Sequence, residues 1–143
     1  MRFLVTAATG TTSAGVVRHL RSADEEVRGL VRDKDTATRT FDDLHGVDIV
    51  VDGAFDDDVV LAKAFRGVKV AFLALGSSPD QIRLEKAIID GAVQAGLPHL
   101  VKLSSIATSH DSALFCRALA RRDPGSPRRV GVVLHAAASR ELR

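Results

Sequence analysis

Short runs rich in Val, Leu and Ile alternate along the chain with stretches of helical periodicity, and this alternation restricts the fold more than any other feature. The runs are Arg2 to Thr6, Val27 to Val31, Val47 to Val51, Lys69 to Ala74, His99 to Leu103 and Arg129 to His135. Continuous apolar runs of this length fit strands buried on both faces, the condition of a parallel sheet covered by helices. Six strands with right-handed helical crossovers predict an α/β, doubly wound parallel sheet in the order 3-2-1-4-5-6. The expected unit is a single three-layer domain over residues 1–143, since no linker composition or internal repeat marks a second one.

The helices that join these strands carry their own signals. Thr12 to Ser22 holds the apolar stripe Val16, Val17 and Leu20, with Thr11 or Thr12 as the expected cap. The polar connection Asp33 to Gly46 predicts a short helix over Asp35 to Leu44. Asp56, Asp57 and Asp58 precede Val59 to Phe65, so negative charge falls where a helix start favours it. Pro79 to Ala95 repeats Leu84, Ile88, Gly91 or Ala92, and Ala95 at helical spacing, and Gly96 and Pro98 terminate it. Beyond the fifth strand, Asp111 to Arg122 reads as helix and residues 123–127 as a loop.

In this Rossmann-like order the ligand site lies beyond the carboxyl ends of the strands, where the order reverses between strands 1 and 4. That places the site at Ala7 to Thr12, in the turn after strand 1 that reads VTAATGTTSAG from Val5 to Gly15. A turn that receives phosphate needs close backbone approach and free amides at a helix start. Gly10 supplies the approach, and the hydroxyls of Thr9, Thr11 and Thr12 add hydrogen bonds. Against the three-glycine dinucleotide fingerprint, Ala7 and Ser13 stand at the first and third positions, so the motif alone is weak and an ordinary strand-to-helix turn stays open.

Composition narrows the remaining classes. Hydrophobic residues make up 45% and charged residues 27%, and no apolar run approaches the roughly 20 residues that span a bilayer. The opening MRFLVTAATG lacks the long apolar stretch of a secretion signal, so a cytoplasmic location is expected and no membrane partner. Cys116 has no cysteine to pair with, and the histidines at 19, 45, 99, 110 and 135 are too widely spaced for a ligand pair, so no metal is expected. Residues 1–105 carry 13 basic and 15 acidic side chains, the tail 7 and 3; with six Phe and no Tyr or Trp, the chain does not read as a nucleic-acid module. A Gly-x-Ser-x-Gly hydrolase elbow is absent.

Four stretches taken together resemble the NmrA-like group of atypical short-chain dehydrogenases and reductases, over about residues 1–107. They are FLVTAATGTTSAGVVRHL, VRGLVRD, DGAFDDDVVLAKAFRGVKVAFLA and EKAIIDGAVQAGLPHLVKLSSIA, in matching order and spacing. The resemblance implies a nicotinamide dinucleotide cofactor, with Ala8, Thr9, Gly10, Thr11 and Thr12 around the pyrophosphate and Arg32 at the adenosine ribose. An Arg at the end of strand 2 pairs with a 2′-phosphate by a charge-assisted fork, where an acidic residue would accept from a ribose hydroxyl, so NADP(H) is favoured over NAD(H). Gly53, Ala54 and Phe55 stand where the family usually has Gly-Asp-Leu, which sets Phe55 against the adenine or simply in the core. Leu75 and Gly76 fall along the cofactor path, and Ser104 with Ser105 near the nicotinamide. Lys102 is expected to reach solvent from its strand end.

The resemblance further implies reduction of a small electrophile such as a quinone. Short-chain dehydrogenases commonly use a Tyr with a Lys four residues later, and this chain has no Tyr, so no catalytic residue can be named. After Ala107 the family pattern of aromatics and prolines fades, consistent with a natural short form, a truncated product or a shifted frame. A non-catalytic NADP(H)-sensing or interaction module therefore stands beside the reductase reading, and a fragment that folds without binding stands behind both. The substrate and the oligomeric state are not fixed by the sequence.

Overall fold

The computed structural model describes residues 1–104 and 131–136. Its element order is β1 (Arg2–Thr6), α1 (Thr11–Ser22), β2 (Glu26–Val31), α2 (Lys34–Thr40), β3 (Val47–Val51), α3 (Asp58–Phe65), β4 (Val70–Leu73), α4 (Gln81–Gln94), β5 (His99–Ser104) and β6 (Gly131–Ala136). All six strands pair in parallel, in the order β3-β2-β1-β4-β5-β6. The chain is thus the doubly wound, Rossmann-like α/β fold expected from the alternation of its apolar runs. The predicted helix at Asp111 to Arg122, the loop at 123–127, Cys116 and Ser105 lie outside the described residues.

Period-two alternation along the strands divides the core in two. Val5, Val27 and Val31 face α1 and α2, where Ala8, Val17, Ala37 and Phe41 join them. Leu4, Leu30, Ala71, Leu73 and Leu100 face α3 and α4, meeting Leu61, Ala64, Phe65, Leu84 and Ile88. Apolar side chains on both faces of the same strands are what commit the sheet to burial, and hence to helical crossovers.

Several helix boundaries differ from the sequence expectation by a residue or more, three of them for a visible local reason. Helix α1 starts one residue early: Gly10 is its N-cap and accepts the Ala14 amide at 2.7 Å, so neither Thr11 nor Thr12 caps it. Helix α2 stops at Thr40 rather than Leu44, because Phe41 turns into the core and Leu44 closes a turn back onto its carbonyl. Helix α4 begins at Gln81, after a turn in which the Gln81 amide donates to Ser78. Its end is as anticipated, with Gly96 at φ 66°, a left-handed conformation that glycine adopts without penalty.

The acidic run before α3 acts at the helix start. Asp57 accepts from the amides of Val59 and Val60, and Asp58 lies in the first turn. At the other end of α3, Arg28 from β2 donates to the carbonyls of Lys63, Ala64 and Arg66 and pairs with Asp48 at 2.6 Å. A buried cation on a strand that is otherwise apolar from Val27 onward is thereby consumed by a helix C-terminus, where positive charge is favoured. Among the described residues, no helix is long and apolar enough to cross a membrane.

Candidate functional site

Four segments converge at the carboxyl ends of the strands. Thr6 ends β1, and its hydroxyl receives the Ala74 amide at 3.1 Å just past the end of β4. This side-chain clip replaces a ladder hydrogen bond, which is why β4 stops at Leu73 while the apolar run continues to Ala74. It also holds together the two strands between which the order reverses.

The turn after β1 is tight. Gly10 donates to the Ala7 carbonyl at 2.8 Å, and Ala7 takes φ 44°, the left-handed conformation usually left to glycine. A Cβ on Gly10 would stand 3.2 Å from the Ala7 oxygen, so this glycine serves close approach. Ser13, at the third fingerprint position, is buried and its hydroxyl bonds the Thr6 carbonyl at 2.9 Å. The two departures from the glycine pattern are accommodated, one by backbone strain and one by a hydrogen bond. Helix α1 has no side-chain cap and no acidic residue in its first turn, which leaves its positive end open.

Ala7, Thr9, Gly10, Arg32, Phe55, Leu75, Gly76, Ser77 and Ser78 line one cleft of about 250 Å³. Six of the ten residues singled out from the sequence meet there: Thr9, Gly10, Arg32, Phe55, Leu75 and Gly76. Ala8 sits behind it, fully buried, with its amide bonded to Leu30. Thr11 and Thr12 form the exposed first turn of α1, and Ser104 closes β5 opposite Ala136 of β6. Ala7, the first fingerprint position, lines the cleft as well, and Ser77 and Ser78 join it without a sequence signal beyond their adjacency to Gly76.

Arg32 is exposed and, among the described residues, forms no salt bridge. Its guanidinium carbon lies 5.0 Å from the centre of the Phe55 ring. The neighbouring carboxylate is committed elsewhere: Asp33 caps α2, and hydrogen bonds from the Thr36 hydroxyl and then its amide hold its pKa below the usual value. Phe55 is 2% exposed at φ 61°, so it lies both in the core and at the cleft wall. Asp52, which nothing in the sequence marked out, is buried and accepts the amides of Ala54, Phe55 and Asp57 at 3.1, 2.9 and 3.2 Å.

Lys102 does not reach solvent. It is 5% exposed and pairs with Glu85 of α4 at 3.2 Å, while Gln81 donates to the other carboxylate oxygen. The alternation that puts Leu100 in the core puts Lys102 on the same side, and α4 supplies the counter-charge. Among the described residues no group of three His, Cys, Asp or Glu could hold a metal ion.

The sequence model of the NmrA-like family matches residues 1–114, which include every residue of this cleft. The chain belongs to the NmrA-like family. Two relatives of this NmrA-like chain are enzymes. An NAD(P)H azoreductase of Xenophilus azovorans is 33% identical over 109 residues, covering 76% of this chain and 37% of the relative. The (4-alkanoyl-5-oxo-2,5-dihydrofuran-3-yl)methyl phosphate reductase of Streptomyces griseus is 37% identical over 113 residues, 77% and 36%. The NmrA-like chain thus spans little more than a third of the length of these curated relatives. A solved structure of similar fold is the Citrobacter triphenylmethane reductase complexed with NADP(H), at TM-score 0.63 and 26% identity, covering 73% of this chain and 38% of that one.

Proposed function

We propose that the chain forms the nicotinamide-dinucleotide-binding part of a reductase and prefers NADP(H) to NAD(H). The observation that carries this reading is the cleft that joins an uncapped helix start to an exposed arginine with no salt bridge among the described residues. A dinucleotide presents a pyrophosphate and, in NADP(H), a separate 2′-phosphate. Thr9, Gly10 and the first-turn amides of α1, at Thr11 and Thr12, suit the pyrophosphate, with Ala8 seating the turn from behind. Arg32 suits the 2′-phosphate by a bidentate fork.

Leu75 and Gly76 would border the path of the nicotinamide riboside, and Ser104 ends the strand toward which it points. The bound cofactor supplies a hydride; the protein's part is to orient it and to exclude competing reactions. The relatives' names extend this to reduction of a small conjugated electrophile, of which a quinone is the simplest case. With no Tyr in the chain, the proton comes from water or another group. None of the nine residues lining the cleft is an ordinary acid–base catalyst, and that favours the second reading, a cofactor-sensing module.

Separate titrations with NADPH and NADH, followed by a quinone-dependent NADPH oxidation assay, test both readings. Tighter binding of NADPH with turnover is expected for the reductase; binding without turnover selects the sensor. Failure of both nucleotides to bind at near-millimolar concentration would overturn both.

A further inference from the structure

We infer that Phe55 is a specificity-determining residue that acts through Arg32, holding the guanidinium at the cleft by a cation–π contact before the nucleotide arrives. This rests on the NADP(H) reading above and deepens it. A bulky residue at φ 61° is a backbone outlier, and such strain persists only where the surroundings over-determine it. Here the cause is visible: the buried Asp52 carboxylate accepts the amides of Ala54, Phe55 and Asp57, and so fixes the loop that carries the ring.

The ring belongs to the buried core cluster that includes Leu30, Val50 and Leu61, and the Arg32 guanidinium lies over the ring where it meets the cleft. What the cleft presents to a ligand at this point is therefore the outer side of the guanidinium. An exposed Arg at a strand end samples many rotamers, and each hydrogen bond it makes to a phosphate carries that ordering cost. The Phe55 face attracts the cation and keeps it within reach of a 2′-phosphate. Leucine has similar bulk but lacks the ring quadrupole. The chain of dependence runs from Asp52 to the backbone of Phe55, from the ring to Arg32, and from Arg32 to the phosphate.

The test is a double-mutant cycle on nucleotide binding, with Phe55→Leu, Arg32→Met and their combination, read by NADPH and NADH fluorescence titration. Phe55→Leu is expected to weaken NADPH by about two- to five-fold, the range of an exposed cation–π contact, with NADH unchanged. In the Arg32→Met background the same substitution should change neither. Equal weakening of both nucleotides would mean that the ring itself contacts the adenine, and no change in either would mean that Arg32 needs no support; each result overturns the inference and leaves NADP(H) binding intact. Asp52→Asn, which cannot accept on both side-chain atoms, should reproduce the loss.

A second readout needs no nucleotide. In the free protein, the Arg32 side-chain methylene protons should show upfield ring-current shifts by NMR that vanish in Phe55→Leu. Unshifted Arg32 protons in the native chain would overturn the inference even if neither nucleotide bound.

Discussion

Cutting the Lys102–Glu85 pair gives a sharp test of how the β5 side of the sheet is held. Both side chains are nearly inaccessible, at 5% and 3%, and 3.2 Å apart. Glu85→Gln leaves an ammonium buried without its counter-charge. Lys102→Met strands the carboxylate instead, with Gln81 still donating to it. Removing one partner of a buried ion pair costs roughly 3–5 kcal/mol, so each single variant is expected to lose about that much, Lys102→Met toward the lower end. Replacing both, with Lys102→Met and Glu85→Leu, is expected to cost under about 1.5 kcal/mol, since both charges leave together. Urea unfolding of the native chain and the three variants measures these differences. A double variant as unstable as the singles, or singles within about 1 kcal/mol of the native chain, would refute the reasoning.

Four further substitutions, one of them with a rescue partner, test the site and its supports. Arg32→Ala should weaken NADPH by about ten- to one-hundred-fold, from loss of charge-assisted hydrogen bonds, with NADH almost unaffected in parallel titrations; equal loss for both would remove the 2′-phosphate assignment. A methyl on Gly29 of β2 would stand 3.0 Å from the Ala8 Cβ and 3.3 Å from Ile49, so Gly29→Ala should cost roughly 1–3 kcal/mol in urea unfolding and weaken both nucleotides alike. Adding Ala8→Gly should restore both, and failure of that rescue would show that the turn is not seated on Gly29. Arg28→Met removes three carbonyl contacts at the end of α3 and is expected to lower stability by about 2–3 kcal/mol, or roughly 4–12 °C in Tm by calorimetry. The Asp33 carboxyl is held low by its cap hydrogen bonds, so its contribution is present above pH 3.8 and lost as pH falls through the lower folded value. Asp33→Asn should flatten that part of the acid-unfolding curve, and an unchanged curve would mean that the cap carries no pH dependence.

Much of this architecture can be read before any coordinates, because burial on both faces of a strand leaves a one-dimensional trace. Leu4 and Val5 are adjacent yet point to opposite cores, and a continuous apolar run is the result. The turn at Thr9 and Gly10, the arginine at the end of β2 and the small residues after β4 could be placed on one sheet edge for the same reason. What escaped the sequence depends on partners distant along the chain. Lys102 looks like a solvated strand end until α4 brings Glu85 against it. Asp52 is one aspartate among several, and only the loop geometry shows its carboxylate receiving three amides. The left-handed turn at Ala7 carries no glycine to announce it.

The distribution of acidic caps connects these observations. Helices α2 and α3 are each closed by an aspartate, Asp33 and Asp57, whereas α1 begins with a bare glycine. An aspartate beside Arg32 would ordinarily compete with any anion for the guanidinium. Here the Asp33 oxygen is taken by the Thr36 amide at 2.6 Å, and the ring of Phe55 draws the arginine away toward the cleft. The α1 start lies in a stretch with no acidic residue before Asp24, and the guanidinium of Arg32 is engaged by no described carboxylate, so both positive features at the cleft are left open. On the reading proposed above, these are the positions that two separated phosphate groups would take.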